Sequence, residues 1–111
     1  MRVNKKYPRS VPYRDYLVQD LKEPKAALAY LNAVLNDGDE DAFLVALRDV
    51  AEAHGGISRV SKLAKIHRVT LHRIMSKKGN PRLHNLANIL HALGLKLAIV
   101  PEKESKVKYA A

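Results

Sequence analysis

The 111-residue chain contains no cysteine, so a disulfide framework and any thiolate-ligated zinc or iron–sulfur site are excluded, and nothing argues for an oxidising compartment. Aromatic residues are scarce, with five tyrosines, one phenylalanine and no tryptophan against an apolar fraction of 47%. The core must therefore be built from Leu, Ala, Val and Ile, which suits helix packed on helix better than a β-sandwich. No apolar run approaches the roughly 20 residues of a membrane span, and no membrane association is expected. The four basic residues among positions 1–12 are not followed by the apolar segment of a secretory signal, so the expected location is the cytoplasm. Catalytic patterns are missing too. There is no phosphate-cradling glycine loop and no serine or cysteine nucleophile beside a tuned base. The carboxylates gather between positions 37 and 52, where helix capping and solvation account for them. Neither an enzyme nor a cofactor is expected.

The histidines make no metal site by their spacing. His67 and His72 lie about 140° apart around a helix and do not converge on one ion as an i, i+4 pair does. His84 and His91 share a helix face but are separated by about 10 Å along it. A ribonuclease-like grouping of His72 with Arg68 and Arg73 has acid–base and phosphate-stabilising groups, yet no further residue orients it.

What the chain has in excess is positive charge, and the net +9 is unevenly placed. Residues 1–22 carry six basic and two acidic side chains, 23–54 two basic and seven acidic, and 55–111 twelve basic and two acidic. A chain divided in this way offers one face to a polyanion and a different face to another partner. From Gly56 to Arg82 there are eight basic residues and no acidic one, interleaved with Ile57, Val60, Leu63, Ala64, Ile66, Leu71, Ile74 and Met75. A surface that is merely soluble mixes the two signs, and this one does not.

The length suits one domain with a single core. Residues 1–20, with Pro8 and Pro12 and no helical periodicity, read as an extended N-terminal arm that Tyr13, Tyr16 and Leu17 dock against the body or a partner. The domain is expected over 21–100 and a flexible charged tail over 101–111. Five helices are predicted within the domain. The first starts at Pro24, with Ala27, Leu28, Leu31 and Leu35 inward, and ends at Asn36-Asp37-Gly38. A second opens on Asp39, Glu40 and Asp41, buries Phe43, Leu44, Leu47, Val50 and Ala51, and stops at Gly55-Gly56. Ser58 caps a third to about Ala64. After the turn Lys65-Ile66-His67, with Ile66 inward, a fourth runs from Arg68 to about Ser76. The fifth follows Gly79-Asn80-Pro81, carries Leu83, Leu86, Ala87, Leu90 and Leu93, and is closed by Gly94. Leu95 to Val100 reads as a short β-strand, pairing with its copy in a second subunit or else lying as extended coil on its own domain.

Helix, short turn and helix with this charge is the shape a DNA major groove accepts. In such a pair the first helix crosses the backbone and the start of the second meets base edges. His67, Arg68, Thr70 and Arg73 are therefore the candidates for reading sequence, with His72 beside them. Arg68 is the first choice, because its guanidinium fits guanine O6 and N7 in bidentate fashion. Ser58, Arg59, Lys62, Lys77 and Lys78 stand where phosphate contacts are expected.

The run Gly55-Gly56-Ile57-Ser58, then Arg68 and Leu71, then SKKGNPRL from Ser76 to Leu83 and Ala92-Leu93-Gly94-Leu95-Lys96-Leu97 closely resembles the addiction-module antidote family. These are small antitoxins with a lambda-repressor-like (Xre-type) helix-turn-helix, similar to HigA antitoxins. The likeness extends to Asp15-Tyr16-Leu17, Ala29-Tyr30-Leu31-Asn32 and Gly38-Asp39, so it covers about residues 14–97. It implies an all-α, five-helix DNA-binding fold and a small basic toxin of the RelE/ParE/HigB type encoded adjacently. It also implies a homodimer that binds double-stranded operator DNA to repress its own operon. A stand-alone Xre-type repressor with no toxin partner is the alternative. Two positions depart from the family pattern: Lys65 stands where the turn usually has glycine, and His67 replaces the usual Ser or Asn cap.

Overall fold

The computed structural model describes residues 13–76 and 79–102, the side chain of Arg14 excepted. Among these residues six helices follow one another: α1 (Tyr13–Leu21), α2 (Pro24–Asp37), α3 (Glu40–Ala53), α4 (Gly56–Ala64), α5 (Arg68–Ile74) and α6 (Leu83–Ala92). Two of them organise the packing. α3 is flanked by α1, α2 and α4, and α4 in turn packs on α5 and α6.

α3 is central because its sequence is apolar on more than one side. Leu44, Ala46, Leu47, Val50, Ala51 and Ala53 are all buried, and alanines at three of these positions let neighbouring helices approach closely. Its start is built as the macrodipole requires. Asp39 caps it by accepting the Ala42 N–H at 3.0 Å, and Glu40 and Asp41 occupy the first turn. The single buried charged residue among those described, Asp49, sits on this helix and accepts a hydrogen bond from the Tyr30 hydroxyl of α2 at 2.9 Å. That bond sets the rotation of α2 against α3, since a carboxylate at this depth must be solvated by protein groups.

The arm expected over residues 1–20 is corrected from Tyr13 onward, where the chain is helical; residues 1–12 lie outside the described part. Nine residues make a helix too short to persist alone, and α1 is held by Leu21, buried in the core, with Leu17 and Val18 against it. The His54 ring, at the end of α3, donates to the Leu21 carbonyl at 3.2 Å and ties down the last turn of α1. Tyr16 and Leu17 do dock on the body, as helix rather than as extended chain, while Tyr13 stays exposed.

Two inward faces differ by a residue from those read from sequence. α2 buries Ala27 and Leu31 and packs Tyr30 and Val34 on the core, so Leu28 is outside the stripe and 49% exposed. α6 turns Leu86, Ile89, Leu90 and Leu93 inward, leaving Leu83 exposed. Both are stripes of i, i+3, i+4, i+7 spacing, and several registers of Leu fit that spacing until a neighbouring helix selects one. Ser58 is likewise not a cap: α4 begins at Gly56, and Ser58 lies exposed within its first turn.

The expected strand at Leu95–Val100 is also corrected. No strand occurs among the described residues, and this segment runs on from α6 with Leu97, Ile99 and Val100 exposed. A strand needs a neighbour to exchange backbone hydrogen bonds, and among the described residues the backbone from Lys96 to Val100 makes none of these. α6 itself ends as its glycine requires. Gly94 has φ 78°, and the Leu95 and Gly94 N–H groups return to the Leu90 and His91 carbonyls at 2.8 and 3.0 Å.

Between α5 and α6, Gly79 is demanded by close approach rather than by a left-handed turn. A Cβ there would collide with the Ile74 carbonyl, and the Gly79 N–H donates to the Ser76 carbonyl at 2.9 Å. The turn is thereby folded back on the end of α5, which brings Asn80 and Pro81 beside α2 and α3.

Candidate nucleic-acid interface

The two helices expected to carry the site are present and meet through a turn of three residues, Lys65, Ile66 and His67. Ile66 is 6% exposed and belongs to the core with Val60 and Ala64 of α4 and Leu71, Ile74 and Met75 at and beyond α5. To put Ile66 inward, the chain must reverse at Lys65, which has φ 58° and ψ 43°. It is the one non-glycine residue at positive φ among those described. The left-handed conformation costs a lysine about 1 kcal/mol relative to glycine. Ser61 supports the reversal. Its carbonyl accepts the Ile66 N–H at 3.1 Å, and its hydroxyl donates to the Ile66 carbonyl.

His67 takes over the start of α5. Its backbone is extended, at φ −58° and ψ 140°, and its Nδ1 accepts the Val69 N–H at 3.3 Å. The unprotonated nitrogen fills the place of the Ser or Asn oxygen usual at a helix start. The turn geometry that Lys65 and His67 put in question is thus retained, by a strained lysine and a histidine cap. Nothing in the sequence marks Ser61. A serine three residues before a helix end carries no distinctive pattern, and its role exists only once Ile66 folds back over it.

With Leu71, Ile74 and Met75 buried, the rest of α5 faces out: Arg68, Val69, His72 and Arg73 are exposed and Thr70 is half-buried. On α4, Ser58, Arg59 and Lys62 are exposed, as are Lys65 in the turn and Arg82 before α6. Lys77 and Lys78 lie outside the described residues. The predicted site residues that are described therefore sit on the outward sides of two adjoining helices, and no acidic residue occurs in either. Among the described residues no three His, Asp or Glu side chains are grouped to hold a metal ion.

A second surface lies where the charge reverses. Leu35 of α2, Phe43 and Leu44 of α3, Pro81 of the turn before α6 and Leu86 of α6 line a cleft of about 350 Å³, with Glu40 and Asp41 also on its wall. Glu40 and Asp41 are exposed, whereas Asp39 is committed to its cap.

A model of the probable addiction module antidote protein family matches residues 14–101. The chain belongs to that family. The match covers all but the first residue of α1 and the whole of the other five helices, and an antidote implies a toxin that it neutralises. No curated protein and no solved structure matches the chain. Among the described residues of the antidote, no helix is long and apolar enough to cross a membrane.

The strain at Lys65 gives a direct check on the turn. Lys65→Gly is expected to raise the stability of the free antidote by about 0.5–1 kcal/mol in urea denaturation, relief of the left-handed penalty exceeding the added chain entropy. A destabilisation would mean that Lys65 does not hold this conformation in solution.

Proposed function

We propose that this antidote is the antitoxin of a type II toxin–antitoxin module, working in the cytoplasm as a binding protein and not as an enzyme. It neutralises a RelE/ParE/HigB-like toxin and represses its own operon by seating α4 and α5 in operator DNA. The observation that carries the DNA-binding part is the outward side of α4, α5 and their turn: ten exposed or half-exposed polar and cationic residues from Ser58 to Arg73 with no carboxylate among them. Arg68, at the first position of α5, reads a base edge, with His67, Thr70, His72 and Arg73 around it. Ser58, Arg59 and Lys62, with Lys77 and Lys78, hold phosphates.

The toxin docks on the opposite charge. The cleft beside Glu40 and Asp41 combines an apolar floor with carboxylates, which suits the long cationic side chains of a basic protein. The antidote acts as a homodimer, because a helix-turn-helix of this size reads a palindromic site in pairs. The exposed apolar side chains of Leu97, Ile99 and Val100, which follow α6, are the surface that a second copy would cover.

Three measurements test these assignments separately. In mobility-shift titrations, Arg68→Ala should lose more affinity for the operon promoter than for random duplex, and Lys62→Ala should lower both alike while reducing the salt slope by about 1; equal losses for Arg68→Ala would remove its base-reading role. Glu40→Lys with Asp41→Lys, leaving the Asp39 cap intact, should abolish co-purification with the toxin encoded beside the antidote but spare promoter binding. Ile99→Lys should shift the sedimenting species from dimer to monomer, and an unchanged dimer would move the interface elsewhere.

A further inference from the structure

The face that α5 turns outward is not uniformly cationic. Leu71 and Ile74 point into the core, which leaves Val69, His72 and Arg73, at i, i+3, i+4 spacing, as the opposite ridge. Val69 is 66% exposed in the first turn of that ridge, next to Arg68. It makes no contribution to the core that Leu71 and Ile74 do not already make. Its backbone is held, since its N–H donates to His67 Nδ1. Its χ1 is confined to essentially one rotamer in a helix. Two methyl groups are therefore displayed at a fixed point, without an entropy cost on binding, between side chains that suit phosphates and guanine.

We propose that Val69 is a specificity-determining residue that packs on the C5-methyl group of thymine in the major groove. The inference rests on the reading of α5 as the base-reading helix and adds a preference that the cations do not supply. Of the groups that the base pairs present in the major groove, only the thymine methyl is apolar. Uracil lacks it, so the same residue separates DNA from RNA of equivalent sequence.

The test uses full-length antidote and synthetic duplexes. Duplexes enriched from a random library are resynthesised with deoxyuridine replacing thymine one position at a time, which deletes a single methyl and leaves every hydrogen bond. At one position per half-site the wild-type chain should lose about fourfold in affinity, the change expected for leaving one methyl in water. Val69→Ala should bind the thymine duplex about four- to tenfold more weakly and show no further loss on deoxyuridine substitution. Val69→Thr, which keeps one methyl, should fall between. Circular dichroism controls for folding, and binding to random duplex should not change in either variant. Wild-type indifference to every deoxyuridine, or equal sensitivity in Val69→Ala, overturns the role of Val69 while leaving sequence-specific binding in place. If no sequence is enriched at all, the base-reading assignment of α5 fails and this inference fails with it.

Discussion

Burial of Ile66 is the contact on which the rest depends. It is the only turn residue between α4 and α5 that enters the core, and placing it there sets how the two helices meet. Three local features follow from it. Lys65 is forced left-handed, Ser61 bonds both main-chain groups of Ile66, and His67 is left extended with its ring over the start of α5. A side chain of this size contributes roughly 2 kcal/mol when fully buried, enough to outweigh the strain in Lys65. The outward faces of α4 and α5 are consequences of that choice, because a helix whose Leu71 and Ile74 are inward has no freedom in where Arg68 and Arg73 go.

The same logic separates the charges. The acidic residues collect at the start of α3, where Asp39 caps and Glu40 and Asp41 meet the positive end of a 14-residue helix. The basic ones collect on α4, α5 and the loop that follows. Gly79 lets that loop return tightly, so that Asn80 and Pro81 form part of the wall of the acidic cleft. One small domain thus presents two surfaces of opposite sign, which under the proposed function keeps a toxin and a nucleic acid from competing for one patch.

Much of the fold was legible because helix punctuation is local chemistry. Pro24, Gly38, Gly55 and Gly94 stand at helix ends for backbone reasons that no tertiary contact can override. The two-helix unit was legible as well, since its apolar and basic residues alternate with the period of a helix. α1 was not, because a nine-residue segment after Pro12 has no stable helix of its own and gains one only from Leu17, Val18 and Leu21 packing near α3. The register of α2 and α6 was misjudged where leucines outnumber the inward positions, leaving Leu28 and Leu83 exposed. Leu95–Val100 looked like a strand by composition, but strand formation is a property of a pair of segments.

The amino-acid order alone determined the helical class, the helix ends at Pro24, Gly38, Gly55 and Gly94, the charge division and the identity of the basic pair of helices, since each follows from interactions within a few residues. Only the tertiary structure decided that Tyr13–Leu21 is helical, which leucines are covered, and that Ser61 and His67 brace the turn. It also singled out Val69 as an exposed apolar residue among cations. Those outcomes depend on which surfaces meet across the core, and distances between residues remote in sequence are not encoded in any local pattern.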